Sequence, residues 1–432
     1  MLSSKISNPR TQMICLSLAF ITSCAIYLIP FLSHSQSGTY YILIHVVLTG
    51  LMIVLWQSKG LDVKSVLIAG LVLRVILIPA PIFSSNDSER YLWDGAVALA
   101  GLDPYTIAPN MAEAAELRKL WPTPEEHSAY PTLYPPGALL LFALSALAGP
   151  AKGVWVWKGL ASAASLLSLL LGYNLLKRRA LLQHLPLLAL SPLLILETGV
   201  GAHLDAFCVL AIVLVLSLCD REKFLLAGLV IGWSASLKFL PAIIAGPLIF
   251  YLRPKAAFTL FISSILTATA IYSLAIASGF QAIGLLPVFF EKWRNGAPFY
   301  NVLESVFSPP ILLWVIAIIA VSLFALSAFK ARQGHLILAL SLTLSAPLLL
   351  SPVVFPWYLS VLVPLIALRP SAMLLAWVST APFGYIVLNK WLSEGIWEPA
   401  SWPLWLVAIA LILGLLLDIY ISQSQHQRLK QG

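Results

Sequence analysis

The sequence predicts an all-α polytopic membrane protein of about 12–14 transmembrane helices, with a large first extracytoplasmic loop that carries short interfacial helices. Three observations predict it. Of 432 residues, 60% are hydrophobic and only 10% are charged, and the mean hydropathy is +0.91; soluble domains carry about a quarter charged residues. The apolar residues come in runs of membrane-crossing length, which is about 20 residues. The charges, finally, segregate between the two sides of those runs. Soluble enzymes, disordered tails and disulfide scaffolds are excluded together.

The first apolar run, 12–32, follows Lys5 and Arg10. It is long for a signal-peptide core and lacks a small-x-small cleavage site, so it is expected to remain as the first helix. Further spans are expected at 39–56, 64–83, 154–176, 181–197, 203–219, 224–237, 240–252, 256–279, 311–329, 335–351, 357–368, 371–388 and 403–421. The spans at 224–237 and 240–252 are short and meet at Lys238, the pattern of a hairpin. The segment 137–149 is apolar too, but its length makes about 20 Å of helix against a hydrocarbon core of about 30 Å, so it is expected to lie at the interface. There is no internal repeat and no separable soluble stretch, so 1–432 is expected to form one integral membrane domain. Cys15, Cys24, Cys208 and Cys219 fall in apolar stretches without metal-ligand spacing and read as small core hydrophobes.

With 137–149 left at the interface, one side collects 16 of the 26 basic residues, among them Lys5, Arg10, Lys177, Arg178, Arg179, Arg428 and Lys430. That side, with both termini, is expected to be cytoplasmic. The net charge of +8 therefore reflects loop bias rather than a nucleic-acid partner, and no basic run exceeds Lys177-Arg178-Arg179. The acids gather on the other side. Eight of 18 lie in the first outer loop, 84–136, and a second outer loop, 280–310, holds Glu291, Lys292, Arg294 and Glu304 among aromatics. Long polar loops of this kind more often carry function than fill space.

The first loop opens with Asn86 and Glu89 at capping-box spacing and reaches Gly101 and Pro104, which predicts a short helix over 87–100. Asp87, Arg90, Tyr91 and Asp94 then share one face at i, i+3, i+4 and i+7. On charge alone this is a solvated helix with an Arg–carboxylate pair. The motifs that follow change that reading: Gly101-Leu102-Asp103-Pro104-Tyr105, Tyr134-Pro135-Pro136, His203-Leu204-Asp205, Lys238-Phe239-Leu240-Pro241 and Pro356-Trp357-Tyr358. Together with Tyr91-Leu92-Trp93-Asp94-Gly95, their order from about 86 to 368 resembles the GT-C class of multi-spanning glycosyltransferases. Within that class the chain resembles the polyprenol-phosphate-mannose-dependent α-mannosyltransferases of glycosyltransferase family 87.

That resemblance implies a GT-C-like bundle and transfer of a hexose, mannose by family, from a polyprenyl-phosphate donor to a lipid or glycan acceptor. The reaction would take place on the outer face of a bacterial cytoplasmic membrane, among membrane lipids. It maps the presumed general base onto Asp87, and a carboxyl at a membrane interface is expected to have its pKa raised toward working pH. Attack opposite the phosphate would invert the anomeric carbon. The leaving phosphate needs cations, for which Arg90, Lys238 and Arg294 are the candidates, Lys238 most of all because it is isolated among apolar residues. Glu89, Tyr91, Trp93, Asp94, Tyr134, His203, Asp205, Trp357 and Tyr358 are candidates for holding substrate. For the aromatics the plainer reading is belt and packing, and for Asp205 it is a helix cap.

Relatives often carry a histidine before Pro-Trp-Tyr, where this chain has Phe355; His203 is the nearest substitute. No cofactor is required by these residues, and a divalent cation, if used, has only the paired acids Asp87 and Glu89 to hold it. Two rival classes remain. A transporter or lipid flippase would use Arg74, Glu197, Asp205 and Lys238 within or beside spans, and a polysaccharide polymerase or ligase would need two outer arginines to converge.

Overall fold

The computed structural model describes residues 9–121 and 123–431, with the backbone alone for 425–431, so Lys5 and the side chains of Arg428 and Lys430 lie outside the described residues. The regular secondary structure of the described residues is helical, apart from an isolated bridge between Asn295 and Val353. Among the described residues, seven helical stretches are long and apolar enough to cross a bilayer: Pro9–Phe31, His34–Gln57, Pro150–Arg178, Pro254–Ala277, Pro309–Arg332, Ala372–Glu394 and Trp402–Ser424. The other expected spans are built from shorter apolar helices. The outward faces of the long helices, for example Leu266, Leu313, Ile318 and Leu416, are exposed side chains that only hydrocarbon would solvate.

Helix α1 (Pro9–Cys24) packs on α2 (Ser37–Gln57), and α3 (Val63–Ile76) starts at Asp62, whose carboxylate accepts from the amides of Lys64 and Ser65 at 3.1 and 3.2 Å. The helix stops seven residues before the expected end of the 64–83 span, because Pro79 and Pro81 lie just ahead. The first outer loop carries α4 (Asp87–Leu99) and α5 (Ala115–Leu120). It leads into α6 (Pro136–Ala146), which presses one face on α4 and leaves Leu140 and Leu144 exposed. The long α7 (Pro150–Arg178) follows.

The expected span at 181–197 is not one helix. It is broken into a 3₁₀ turn, α8 (Leu185–Ala189) and α9 (Pro192–Gly199), with a proline in the first turn of each helix. A break in a membrane frees carbonyls that cost several kcal/mol apiece if unpaired. Arg74 of α3 answers this break: its guanidinium donates to the carbonyls of Ala189 at 2.8 Å, Leu188 at 3.2 Å and Gly70 at 2.8 Å, and to Ser165 Oγ at 3.0 Å. A buried arginine that looked like a transport residue in sequence is therefore a brace.

After α10 (Asp205–Cys219) comes the expected hairpin: α11 (Phe224–Ala235), an extended break at Lys238, the single turn α12 (Phe239–Ala242) and α13 (Ala245–Tyr251). Helix α14 (Pro254–Ala277) packs along α11. The second outer loop holds α15 (Leu286–Lys292) and α16 (Pro298–Val306) and is laced to the first: Leu285 N donates to Thr132 O at 3.2 Å, and Gln281 N to Asp103 Oδ2 at 3.1 Å. Then come α17 (Pro309–Arg332), α18 (Leu336–Leu350), a 3₁₀ stretch Pro356–Leu362 leading into α19 (Val363–Leu368), and α20 (Ala372–Thr380). A further 3₁₀ stretch, Ala381–Val387, joins α20 to α21 (Leu388–Glu394), and α22 (Trp402–Gln431) ends the chain. The main core, with Leu48, Leu73, Leu169, Ile195, Leu216, Leu340 and Leu362 fully buried, lies beneath these outer elements and fixes where α9, α10 and the 356–362 stretch end.

Candidate active site

Helix α4 begins one residue after Asn86, but the expected capping box does not form. The Asn86 side chain makes no cap bond and instead donates to Glu126 Oε1 at 2.5 Å, tying the loop to the helix start. Two acids in the first turn, Asp87 and Glu89, suit the positive end of the helix. The helix closes where expected: Gly101 adopts φ +73°, and Leu102 N donates back to Val97 O at 3.2 Å.

The four residues predicted to share a face do so as two separate pairs. At the start of α4, Tyr91 donates its hydroxyl to Asp87 Oδ2 at 3.2 Å. One turn on, Arg90 Nε lies 2.9 Å from Asp94 Oδ1, Thr132 donates to Asp94 Oδ2 at 2.6 Å, and Arg90 Nη1 donates to the carbonyls of His127 at 3.2 Å and Tyr130 at 2.7 Å. Arg90 and Asp94 are thus buried in a clamp that fastens 127–132 onto α4. Proposed as a phosphate ligand from sequence, Arg90 is committed to this clamp, and Asp94 with it. Trp93 is fully buried against Leu92, Val97 and Trp121, so a sugar cannot reach its faces. Glu89 is exposed on the opposite side of the helix, its carboxyl raised by burial of part of its surroundings and by the nearby Glu126.

Asp87 is gathered into a different group. His203 Nδ1 lies 3.3 Å from Asp87 Oδ2, and the Asp87 side chain keeps 24% of its surface exposed. The His203 ring stacks on Trp357 at 3.8 Å between centroids, and Phe355 stacks on Trp357 at 4.5 Å, nearly parallel. Rings therefore cover both faces of Trp357, which serves as the wall that holds His203 rather than as an open sugar platform. Phe355, just before Pro356-Trp357, takes the other side of this stack. Tyr134 lies edge-on to Tyr91 at 5.2 Å, nearly buried, and backs the same group.

Lys238 stands across from Asp87. It donates to Asp205 Oδ2 at 2.7 Å and sits 4.6 Å above the Tyr358 ring, with 20% of its side chain exposed. Asp205 does not cap α10; it anchors this lysine. An ammonium has three donors, and Asp205 takes one. Arg294, by contrast, is spread over both carboxylate oxygens of Glu304 and three carbonyls of its own loop, and none of its contacts reaches the Asp87 group.

Burial pushes the Asp87 carboxyl up, but the His203 ring beside it and the charges of His127 and Lys238 outweigh that, leaving it below the ordinary carboxylate range. This is opposite to the rise expected from a membrane interface. Burial pulls His127 below the usual imidazole value, against the pull of Asp87. Burial raises Asp94 despite Arg90 beside it, and raises the Tyr91 and Tyr134 phenols, so both stay neutral donors.

Sequence reasoning missed two members of this neighbourhood, His45 and His127, and gave a third, Glu197, only to the transporter reading. Glu197 Oε2 lies 3.5 Å from His203 Nε2, and its Oε1 lies 3.6 Å from His45 Nε2. The available signal was a lone carboxylate and a lone imidazole in apolar spans, which are costly unless used. A small pocket with Ser165, Thr198 and Ser360 in its wall adjoins Glu197, His203 and Asp205. An apolar cleft, walled by Trp357, Trp377, Tyr385 and Trp397, lies next to the aromatic stack. Among the described residues no group of three or more His, Cys, Asp or Glu side chains is arranged to hold a metal ion.

Residues 26–254, more than half of the chain, match a protein family described as alpha-(1→6)-mannopyranosyltransferase, N-terminal domain (MptA_B family). The match takes in α4, Asp87, Glu197, His203, Asp205 and Lys238, and stops short of the Trp357 stack. Comparison with curated proteins finds no match.

Proposed function

The chain belongs to this alpha-(1→6)-mannopyranosyltransferase family, a family of membrane glycosyltransferases, and from that premise we propose the finer reaction. A hexose, mannose in the first instance, passes from a polyprenyl-phosphate donor to a hydroxyl of a lipid or glycan acceptor, with inversion. Asp87 accepts the acceptor's proton as the new C–O bond forms. The bond from the anomeric carbon to phosphate breaks, and Lys238 meets the charge left on the phosphate. A β-linked donor attacked from the opposite face yields an α product, which agrees with the linkage in the family's description.

The observation that carries this reading is the placement of Asp87: a carboxylate that stays ionised and partly open, with Tyr91 and His203 touching one of its oxygens and a partly exposed lysine within electrostatic range. The low pKa makes Asp87 a weaker base but keeps it deprotonated at every working pH, and the attack has oxocarbenium character in which little proton transfer precedes bond formation. The apolar, aromatic lining of the cleft beside the Trp357 stack suits the first isoprene units. The reaction needs no resident cofactor, with Lys238 in the place a divalent cation would otherwise take. The basic-residue bias supports cytoplasmic termini and a site on the extracytoplasmic face of a bacterial inner membrane, within a single domain over 1–432.

The test is direct. Purified protein is incubated with radiolabelled polyprenyl-phosphate mannose or glucose beside membrane lipids, and the labelled product is identified. Label should move from the mannose donor into a more polar lipid or glycan product with α stereochemistry. Absence of transfer from both donors overturns the reading, and transport of an intact donor across vesicles would put a flippase in its place.

A further inference from the structure

Behind Asp87 lies a row of buried groups that a lone base does not need. His203 faces two carboxylates at once, Asp87 at 3.3 Å from Nδ1 and Glu197 at 3.5 Å from Nε2, and the second Glu197 oxygen lies 3.6 Å from His45 Nε2. The side chains of His45, Glu197 and His203 are at most 3% exposed, and only Asp87 opens outward. Among the described residues, no conventional hydrogen bond engages the ring nitrogens of His203 or the carboxylate oxygens of Glu197.

The local backbone is shaped to hold this arrangement. His203 N donates to Glu197 O at 3.0 Å, folding the α9–α10 loop so that the two side chains meet. A Cβ at Gly201 would run into the His203 ring and come within 3.0 Å of Glu197 Oε2. Ala202 sits at φ +51°, a left-handed conformation that costs about 1 kcal/mol or more outside glycine, and Trp157 Nε1 fixes it by donating to its carbonyl at 2.7 Å. With Trp357 on the ring face, His203 has one orientation.

Proton counting then gives the chemistry. A neutral imidazole has one N–H, so a ring with a carboxylate at each nitrogen needs either a second ring proton or a proton on one carboxyl. Asp87 also faces His127, Lys238 and Tyr91, and Glu197 faces His45, Asp205, Tyr41 and Tyr385. The side of Asp87 is already rich in cations and donors, so the second ring proton belongs on Nε2, the nitrogen that faces the second anion, Glu197.

We propose that Glu197 is a positioning residue of the transfer reaction: with His203 and Asp87 it shares one proton beyond the neutral set, holding His203 doubly protonated so that Asp87 meets the acceptor hydroxyl as a carboxylate. This rests on Asp87 being the base. In turnover the acceptor's proton goes to Asp87 and leaves outward, while the His203–Glu197 pair returns unchanged.

The experiment uses the full chain in micelles with ¹⁵N-labelled histidine at neutral pH, the His203 signals being identified by their loss in His203→Asn. Both ring nitrogens of His203 should carry protons in the wild type, and only one in Glu197→Gln. Glu197→Gln should lower kcat about tenfold or more while the donor KM moves less than about twofold. Glu197→Asp, which keeps the charge at shorter reach and serves if the Gln variant does not accumulate, should keep the doubly protonated ring and recover part of kcat. A singly protonated His203 in the wild type, or a proton count indifferent to position 197, overturns the proposal; a purely structural Glu197 would lower thermal stability and leave the count alone. A doubly protonated His203 in a protein that transfers no sugar would sink the functional reading and leave the proton-sharing unit standing.

Discussion

Helix α4 carries the same residue at its start and, two turns on, in its middle, in opposite circumstances. Asp94 is 1% exposed, paired with Arg90, bonded by Thr132 and clamped under the 127–132 segment. Asp87, seven residues earlier, is partly open and has one oxygen held by Tyr91 and His203, while the other has no partner among the described residues. The difference teaches that a carboxylate's role is set by what remains of its bonding capacity. Asp94 has spent its capacity on fastening the loop, and Asp87 keeps a free oxygen where a hydroxyl could arrive. The clamp is what makes that vacancy reproducible, because it fixes the helix whose first residue is Asp87.

The largest expected effect breaks the comparison at its open end. Asp87→Asn should lower sugar transfer about 10³-fold, within the range for removal of a general base, while the solubilised protein melts within a few degrees of wild type. Near-wild-type transfer would remove Asp87 from the chemistry. The sign of its pH dependence is also fixed. With the folded-state pKa below the unfolded one, the stability Asp87 contributes is present above the unfolded value and is lost as pH falls through the folded value. The acid limb of kcat/KM should accordingly lie below the ordinary carboxylate range, and a limb near neutrality would show that another group is the base.

Breaking the closed end should have a different signature. Asp94→Asn leaves the Arg90 guanidinium buried without its counter-ion, which costs about 3–5 kcal/mol and should appear as a lower melting temperature and less protein in the membrane. Transfer per folded molecule should fall only a few-fold. The double variant Arg90→Met/Asp94→Leu, which removes both charges at similar volume, should recover much of the stability. If Asp94→Asn instead matched Asp87→Asn in activity at undiminished stability, the two carboxylates would not differ as described.

Much of this contrast was legible before any coordinates. Hydropathy marked nearly every helix, and the 87–100 helix with its Gly101 stop is present as Asp87–Leu99. The capping rule failed at Asn86 because a distant acid, Glu126, offered its amide a better partner, and periodicity failed at 181–197 because Pro186 and Pro192 break backbone continuity without interrupting hydrophobicity. Helical spacing put Asp87, Arg90, Tyr91 and Asp94 on one face but could not sort them into two pairs, since the sorting partners, His203 and Thr132, are remote in sequence. The same limit hid the contact between Glu197 and His45, which forms only after α2 and α9 pack.

Lys238 tests the cationic side of the open end. Its ammonium is held by Asp205 yet retains 20% exposure, so Lys238→Met should raise the donor KM about tenfold, the value of one charge-assisted hydrogen bond, with a smaller change for the acceptor. Asp205, left alone and buried, would destabilise that variant; Lys238→Met/Asp205→Asn should restore folding without restoring donor affinity. Unchanged donor KM would leave Lys238 a structural partner of Asp205.

The smallest effect is expected at Arg294, and its size decides how far the open region extends. The Arg294 guanidinium is bidentate on Glu304 at an exposed site, where a pair contributes at most about 1 kcal/mol, and its remaining contacts are carbonyls of its own loop. Arg294→Gln should therefore change the donor KM less than about twofold and shift the melting temperature by a degree or two. The second outer loop is nonetheless laced to the first through Thr132, the residue that also holds Asp94. A tenfold loss of donor affinity in Arg294→Gln would mean that this lacing brings Arg294 to the phosphate when donor binds, and that the cation Asp87 works against is shared between two loops rather than carried by Lys238.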